Sequence, residues 1–141
     1  MCIRDSAIDA LEWAEAIGGQ DALIARVDAS FAHVRDWVAA SPHFDFLARD
    51  PATVSPTALC LVVIDPWFVA LAEDAQKQVI KQVLARLEEG GVAVDINAYR
   101  DAPTGLRIWG GPTVDPEDIA RLLPWIDWAY EAARARRQQA A

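Results

Sequence analysis

Cysteine, histidine and lysine are all scarce in this chain, and each scarcity narrows what it can do. Two cysteines, Cys2 and Cys60, are too few for a disulfide framework. The only histidines, His33 and His43, have no second metal-type ligand at useful spacing, so no metal site is expected. Lys77 and Lys81 are the only lysines, and both fall on the solvent side of one predicted helix. A Schiff-base lysine must be desolvated to lower its pKa, so neither is expected to be a covalent catalyst. No Gly-x-Ser-x-Gly elbow and no Cys–His grouping is present. No phosphate-cradling glycine loop of the Walker or dinucleotide type occurs either. No apolar run approaches the roughly 20 residues of a membrane span, and no basic start leads into an apolar block, so no membrane partner and no secretory leader are expected. The net charge of −8 lacks the basic excess that a nucleic-acid partner requires. A reducing cytoplasm suits the cysteine usage.

What is present is an ordinary globular balance: 141 residues, 53% hydrophobic and 24% charged. That length supports one compact domain. Residues 1–6, Met-Cys-Ile-Arg-Asp-Ser, do not lead naturally into the helix that follows. They resemble translated sequencing-adapter read-through, and are read as a non-native leader ahead of a domain at 7–141.

Apolar spacing predicts a helix over 7–17, ended or bent by Gly18-Gly19, and a long amphipathic helix over 20–40 stopped by Ser41-Pro42. Residues 44–48 alternate like a half-exposed strand. Thr57 to Ile64 reads as a central strand, with Cys60 as a small core residue. Asp65-Pro66 carries the N-cap oxygen and first-turn proline of a helix expected to run to Glu89, ended by Gly90-Gly91. Strands follow at 92–96 and 106–109. Gly110-Gly111 reads as a tight turn into Asp115-Pro116, the start of a last helix with Pro124 as an expected bend. Arg134, Arg136 and Arg137 fall in its last turns, where cations complement the dipole. Both histidines read as surface or boundary residues. The six tryptophans read as core anchors and a face that packs on another domain. The order of elements predicts an α+β, two-layer sandwich, with helices on a small mixed or antiparallel sheet of about four strands.

The run from Tyr99 to Gly111 is the most informative stretch. Arg107 stands within a predicted strand and Arg100 in the turn before it. A buried guanidinium costs several kcal/mol unless an anion meets it, and its flat fork suits a carboxylate or phosphate. The pair therefore points to a small, doubly anionic ligand. The other reading of Arg107 is a solvent-face residue paired with an acid such as Asp95, and of Arg100 a solvated loop residue.

Five segments together resemble the phosphoserine aminotransferases, class V pyridoxal-phosphate-dependent enzymes, in their bacterial and archaeal subgroup. They are Ala10 to Gly19, Asp65-Pro66-Trp67-Phe68, Ala98 to Pro103, Gly105-Leu106-Arg107-Ile108-Trp109, and Leu123 to Tyr130. The likeness runs over about 7–134 and is to that family's C-terminal small domain, part of a fold-type I enzyme. It implies transfer of an amino group from glutamate to 3-phosphohydroxypyruvate, giving phosphoserine and 2-oxoglutarate in serine biosynthesis. It implies a homodimer in the full-length enzyme. It also implies that pyridoxal 5′-phosphate is held by a large domain absent here, so this fragment carries no catalytic or cofactor-binding residue and is inactive alone. Arg107 matches the strand arginine that forks onto the substrate α-carboxylate. Arg100 falls near the loop position whose basic side chain helps hold the substrate phosphate. Two alternatives stand beside this: another class V aminotransferase fragment, such as an alanine–glyoxylate enzyme, and a free-standing amino-acid-binding regulatory module. Phosphohydroxythreonine is an alternative to phosphoserine as substrate.

Overall fold

The computed structural model describes residues 3–139. Three short strands form an antiparallel sheet in the order β1-β2-β3: β1 (Phe44–Phe46), β2 (Ala58–Val63) and β3 (Gly105–Trp109). Cys60 lies opposite Arg107 and Leu61 opposite Leu106 in the register. Alternation along β2 buries Leu59, Leu61 and Val63 and leaves Ala58, Cys60 and Val62 half-buried. The buried face packs on helices α2 (Gly19–Ala40), α4 (Glu73–Glu89) and α5 (Pro116–Gln139) in one core. Val34, Val79, Val83, Leu87 and Ile126 are fully buried there. Cys60 and Arg107 stand on the opposite, more open face, so Cys60 is not the core residue its apolar surroundings predicted.

The first helix, α1 (Ile3–Ala16), starts earlier than expected. Residues 3–6 are helical, and Asp5 sits in the first turn, where an acid complements the helix dipole. The expectation that these residues would not lead into the helix is corrected. Met1 and Cys2 lie outside the described residues. Gly18 (φ 117°) turns the chain between α1 and α2 in a region that side chains rarely adopt.

The helix begun by Asp65 is two helices. Asp65 caps α3 (Pro66–Val69), its carboxylate accepting the Trp67 N–H at 2.9 Å. The chain then breaks at Ala70–Ala72. Leu71 N–H bonds back to the Phe68 carbonyl, and Ala72 is extended with ψ 150° before α4 restarts. The Gln76 amide donates to the Phe68 and Leu71 carbonyls, at 3.2 Å each, and so satisfies groups the break frees. The break leaves Phe68 buried against Tyr130, with ring centres 6.4 Å apart.

The fourth predicted strand, at 92–96, does not form. Val92 and Ala93 spend their N–H groups on the Leu87 carbonyl at the end of α4, at 2.8 and 3.3 Å. Asp95 is left-handed, φ 56°, a conformation that no strand continues. Only Asn97 bridges to Leu106, and Arg107 N–H donates to the Ile96 carbonyl at 2.8 Å. The α+β class holds, with three strands instead of about four.

None of the tryptophans is part of the fully buried core. Trp37 and Trp67 pack against it, and Trp109, Trp125 and Trp128 are about half exposed. The Trp37 indole N–H donates to Asp127 at 2.8 Å and ties α2 to α5. The last helix continues past Pro124, and Arg136 and Arg137 occupy its final turn as expected.

Candidate functional site

Backbone pairing decides how Arg107 is presented. Alternation in β3 sends Leu106 and Ile108 into the core and Arg107 to the open face. Gly105 makes the close approach of β3 to β2 at this point: a Cβ there would stand 2.0 Å from the Leu61 carbonyl oxygen.

The guanidinium of Arg107 lies over the Tyr99 ring, 4.7 Å from its centre, an arrangement worth about 0.5–2 kcal/mol. Its side chain is 19% exposed. Nη2 lies 3.5 Å from an Asp95 oxygen, but the Asp95 side chain is 84% exposed, and so open a pair adds little. Nε is buried and makes no hydrogen bond among the described residues. Asp95 is the neighbour, yet it leaves donor capacity on a fork stacked against an aromatic wall.

Arg100 is exposed on the Tyr99–Thr104 turn. It lines a cleft of about 440 Å³ between that turn and α4, and Lys77 and Lys81 line the same cleft. Tyr99 is common to both places, since its ring carries the Arg107 guanidinium and it also borders the cleft. Both lysines are exposed, as predicted. The 2.6 Å contact between Lys77 and Glu73 raises the lysine above its usual pKa and lowers the glutamate below its own, chiefly through their hydrogen bond.

A second polar constellation was not legible as such in the sequence. His43 is buried, which corrects its reading as a surface or boundary residue. Nε2 of His43 meets a Glu131 carboxylate oxygen at 2.5 Å, and Nδ1 lies 3.6 Å from Asp65. Tyr130 donates to Asp65 at 3.0 Å, and Arg134 Nε lies 3.4 Å from the same oxygen. Burial first, and then the hydrogen bond to Asp65, push the Tyr130 phenol far above its usual pKa. Arg134 thus does more than complement the end of a helix. The cluster joins the residue before β1 and the cap of α3 to α5. The Asp65 cap was readable in advance; its long-range partners were not.

Among the described residues no helix is long and apolar enough to cross a membrane. No protein-family model matches the chain. Curated relatives do. The phosphoserine aminotransferase of Methanosarcina mazei is 36% identical over 134 residues, which is 95% of this chain and 34% of that protein. That of Methanosarcina barkeri is 37% identical over the same shares. A phosphoserine aminotransferase from a Nocardioides species is 33% identical over 122 residues, 86% of this chain and 29% of that protein. The chain spans about a third of the length of the curated relatives it matches.

Proposed function

We propose that this chain, a relative of the phosphoserine aminotransferases along nearly its whole length, is the C-terminal small-domain portion of such an enzyme. It would supply the substrate-anion contacts for exchange of an amino group between glutamate and 3-phosphohydroxypyruvate, a step of serine biosynthesis. The observation that carries this is the 36–37% identity across 95% of the chain, confined to about a third of each relative. The Arg107 guanidinium, held by one exposed carboxylate and the Tyr99 ring, supports a role in gripping the α-carboxylate that both substrates share. Arg100 supports a role toward the phosphate of the phosphorylated partner.

The residues here do not fit pyridoxal 5′-phosphate. Both lysines stand exposed on α4, with Lys77 in contact with Glu73, and neither is desolvated as a Schiff-base amine must be. The cofactor belongs, on this proposal, to the part of the enzyme that the chain does not span. What this chain's residues do is bind and orient. A two-point grip on carboxylate and phosphate fixes the α-carbon between them, and Tyr99 limits how far the Arg107 fork can swing.

The test is a chimaera in which residues 7–139 replace the matching third of the Methanosarcina mazei enzyme. Arg107→Lys should lower kcat/KM about 10- to 100-fold for glutamate and for the phosphorylated oxo acid alike, the loss of one charge-assisted hydrogen bond. Unchanged kinetics with both substrates refutes the carboxylate role. Arg100→Ala should cost the phosphorylated substrate more than glutamate; equal losses remove Arg100 from the phosphate.

A further inference from the structure

Asp95 is the one non-glycine residue with a positive φ, 56°, among the described residues. Aspartate is among the few side chains that tolerate this conformation. The backbone on either side is held. Val92 and Ala93 bond back to the Leu87 carbonyl, the Ile96 carbonyl accepts the Arg107 N–H at 2.8 Å, and Asn97 bridges to Leu106. The Asp95 carboxylate is held by much less. Its side chain is 84% exposed, and one oxygen lies 3.5 Å from Nη2 of Arg107. That is an ion pair through a single nitrogen, without the two short parallel bonds that lock a carboxylate onto a guanidinium. The fold brings this carboxylate to the Arg107 fork by its backbone and leaves it weakly attached. Arg107, for its part, needs an anion, because a largely buried cation without one is costly. Among the described residues Asp95 is the carboxylate within ion-pair reach of it. The Tyr99 ring stacks on the guanidinium at 4.7 Å but neutralises no charge. A second carboxylate arriving at this guanidinium meets Asp95 within a few ångströms, and like charges so close repel until one leaves. The exposed, singly attached one leaves more easily.

We infer that Asp95 is a displaceable internal counter-ion: it neutralises Arg107 in the empty state and competes with an incoming carboxylate for the guanidinium. Asp95 thereby sets affinity through Arg107 without touching the bound molecule. An exposed ion pair is only weakly favourable, so Asp95 occupies Arg107 roughly 60–85% of the time when no other anion is present. Apparent affinity falls with the fraction of competent sites, here by about two- to sixfold. The identity of the incoming carboxylate as a substrate rests on the α-carboxylate role proposed above for Arg107. The competition itself rests on the contact.

Asp95→Asn and Asp95→Gly both remove the charge and both suit a positive φ, and thermal melts of the 141-residue chain check that each folds. The first readout is the Arg107 Nε–H resonance of the ¹⁵N-labelled chain, titrated with sodium acetate at constant ionic strength. Its shift should reach half-saturation at about two- to sixfold less acetate in each Asp95 variant than in the parent chain. The second is the chimaera, where each variant should lower KM for glutamate and for the phosphorylated oxo acid about two- to sixfold, with kcat within about 1.5-fold. Asp101→Asn removes another exposed charge, on the turn before β3, and should leave the glutamate KM within about 1.5-fold. Equal acetate midpoints in variants and parent overturn the counter-ion. So does an Asp101→Asn gain as large as that of Asp95→Asn, since bulk charge then suffices. If Arg107→Lys lowers the chimaera's activity as expected while KM in the Asp95 variants is unchanged or raised, the counter-ion fails and the carboxylate reading stands. If the acetate midpoints shift as expected while the Arg107→Lys kinetics are unchanged, the aminotransferase reading fails and the counter-ion stands.

Discussion

Replacing Tyr130 by phenylalanine removes one oxygen from the buried polar cluster and keeps the ring. That ring is fully buried and touches those of Phe44 at 5.3 Å and His43 at 4.9 Å, so the packing survives. What is lost is the 3.0 Å hydrogen bond to Asp65. A hydrogen bond to a charged group contributes about 1.5–3 kcal/mol. Arg134 stays 3.4 Å from the same oxygen, so the lower end, about 1.5 kcal/mol, applies. For a chain of this size the melting temperature should fall by about 5 °C at neutral pH. The pH dependence makes the test sharper. Tyr130 ionises near its ordinary pKa of about 10 when the chain is unfolded, but far higher when folded. A folded pKa raised above the unfolded one means stability fully present below pH of about 10 and lost above it, by about 1.4 kcal/mol per pH unit. The Phe variant has no such loss at this position. Urea unfolding of both proteins at pH 8 and pH 11 should therefore show a gap of about 1.5 kcal/mol that has nearly closed at the higher pH, about one unit above the unfolded pKa. Groups common to both proteins contribute alike to the pH dependence and cancel in the difference. A gap unchanged between the two pH values, or no gap at pH 8, refutes the assignment of Tyr130 as a buried donor to Asp65.

Gly105→Ala should cost at least about 2 kcal/mol, because a backbone carbonyl, not a flexible side chain, occupies the space of the new methyl group. A change within about 0.5 kcal/mol by urea unfolding would show that β2 and β3 separate easily there. Ile126→Ala, at a fully buried position of α5, should cost about 2–5 kcal/mol as a cavity opens beneath the helix; calorimetry showing a smaller loss would mean that the core collapses to fill it.

Local chemistry wrote much of this protein in readable form. The stripe Leu23-Val27-Phe31-Val34-Val38 made α2, the Asp65-Pro66 and Asp115-Pro116 pairs began helices, and the apolar run before Asp65 made the central strand, because each depends on residues a few positions apart. Arg107 was legible as a candidate for the same reason: a cation inside a strand pattern conflicts with its neighbours, and Arg100 stood out only by its place in the turn before that strand. What failed were statements that local pattern underdetermines. The residues at 92–96 have strand propensity, but their N–H groups went to the end of α4 and Asp95 turned left-handed. The helix after Asp65 had no proline or glycine to announce its break, which buries Phe68 under a tyrosine 62 positions away in sequence. The burial of His43 and the cluster it makes with Asp65, Tyr130 and Glu131 are products of long-range packing. The sequence determined which side chains carry charge and which element bears each of them. Only the fold decided which of those charges face one another, because distance between charges, unlike helix period, is set by elements that meet in space and not along the chain.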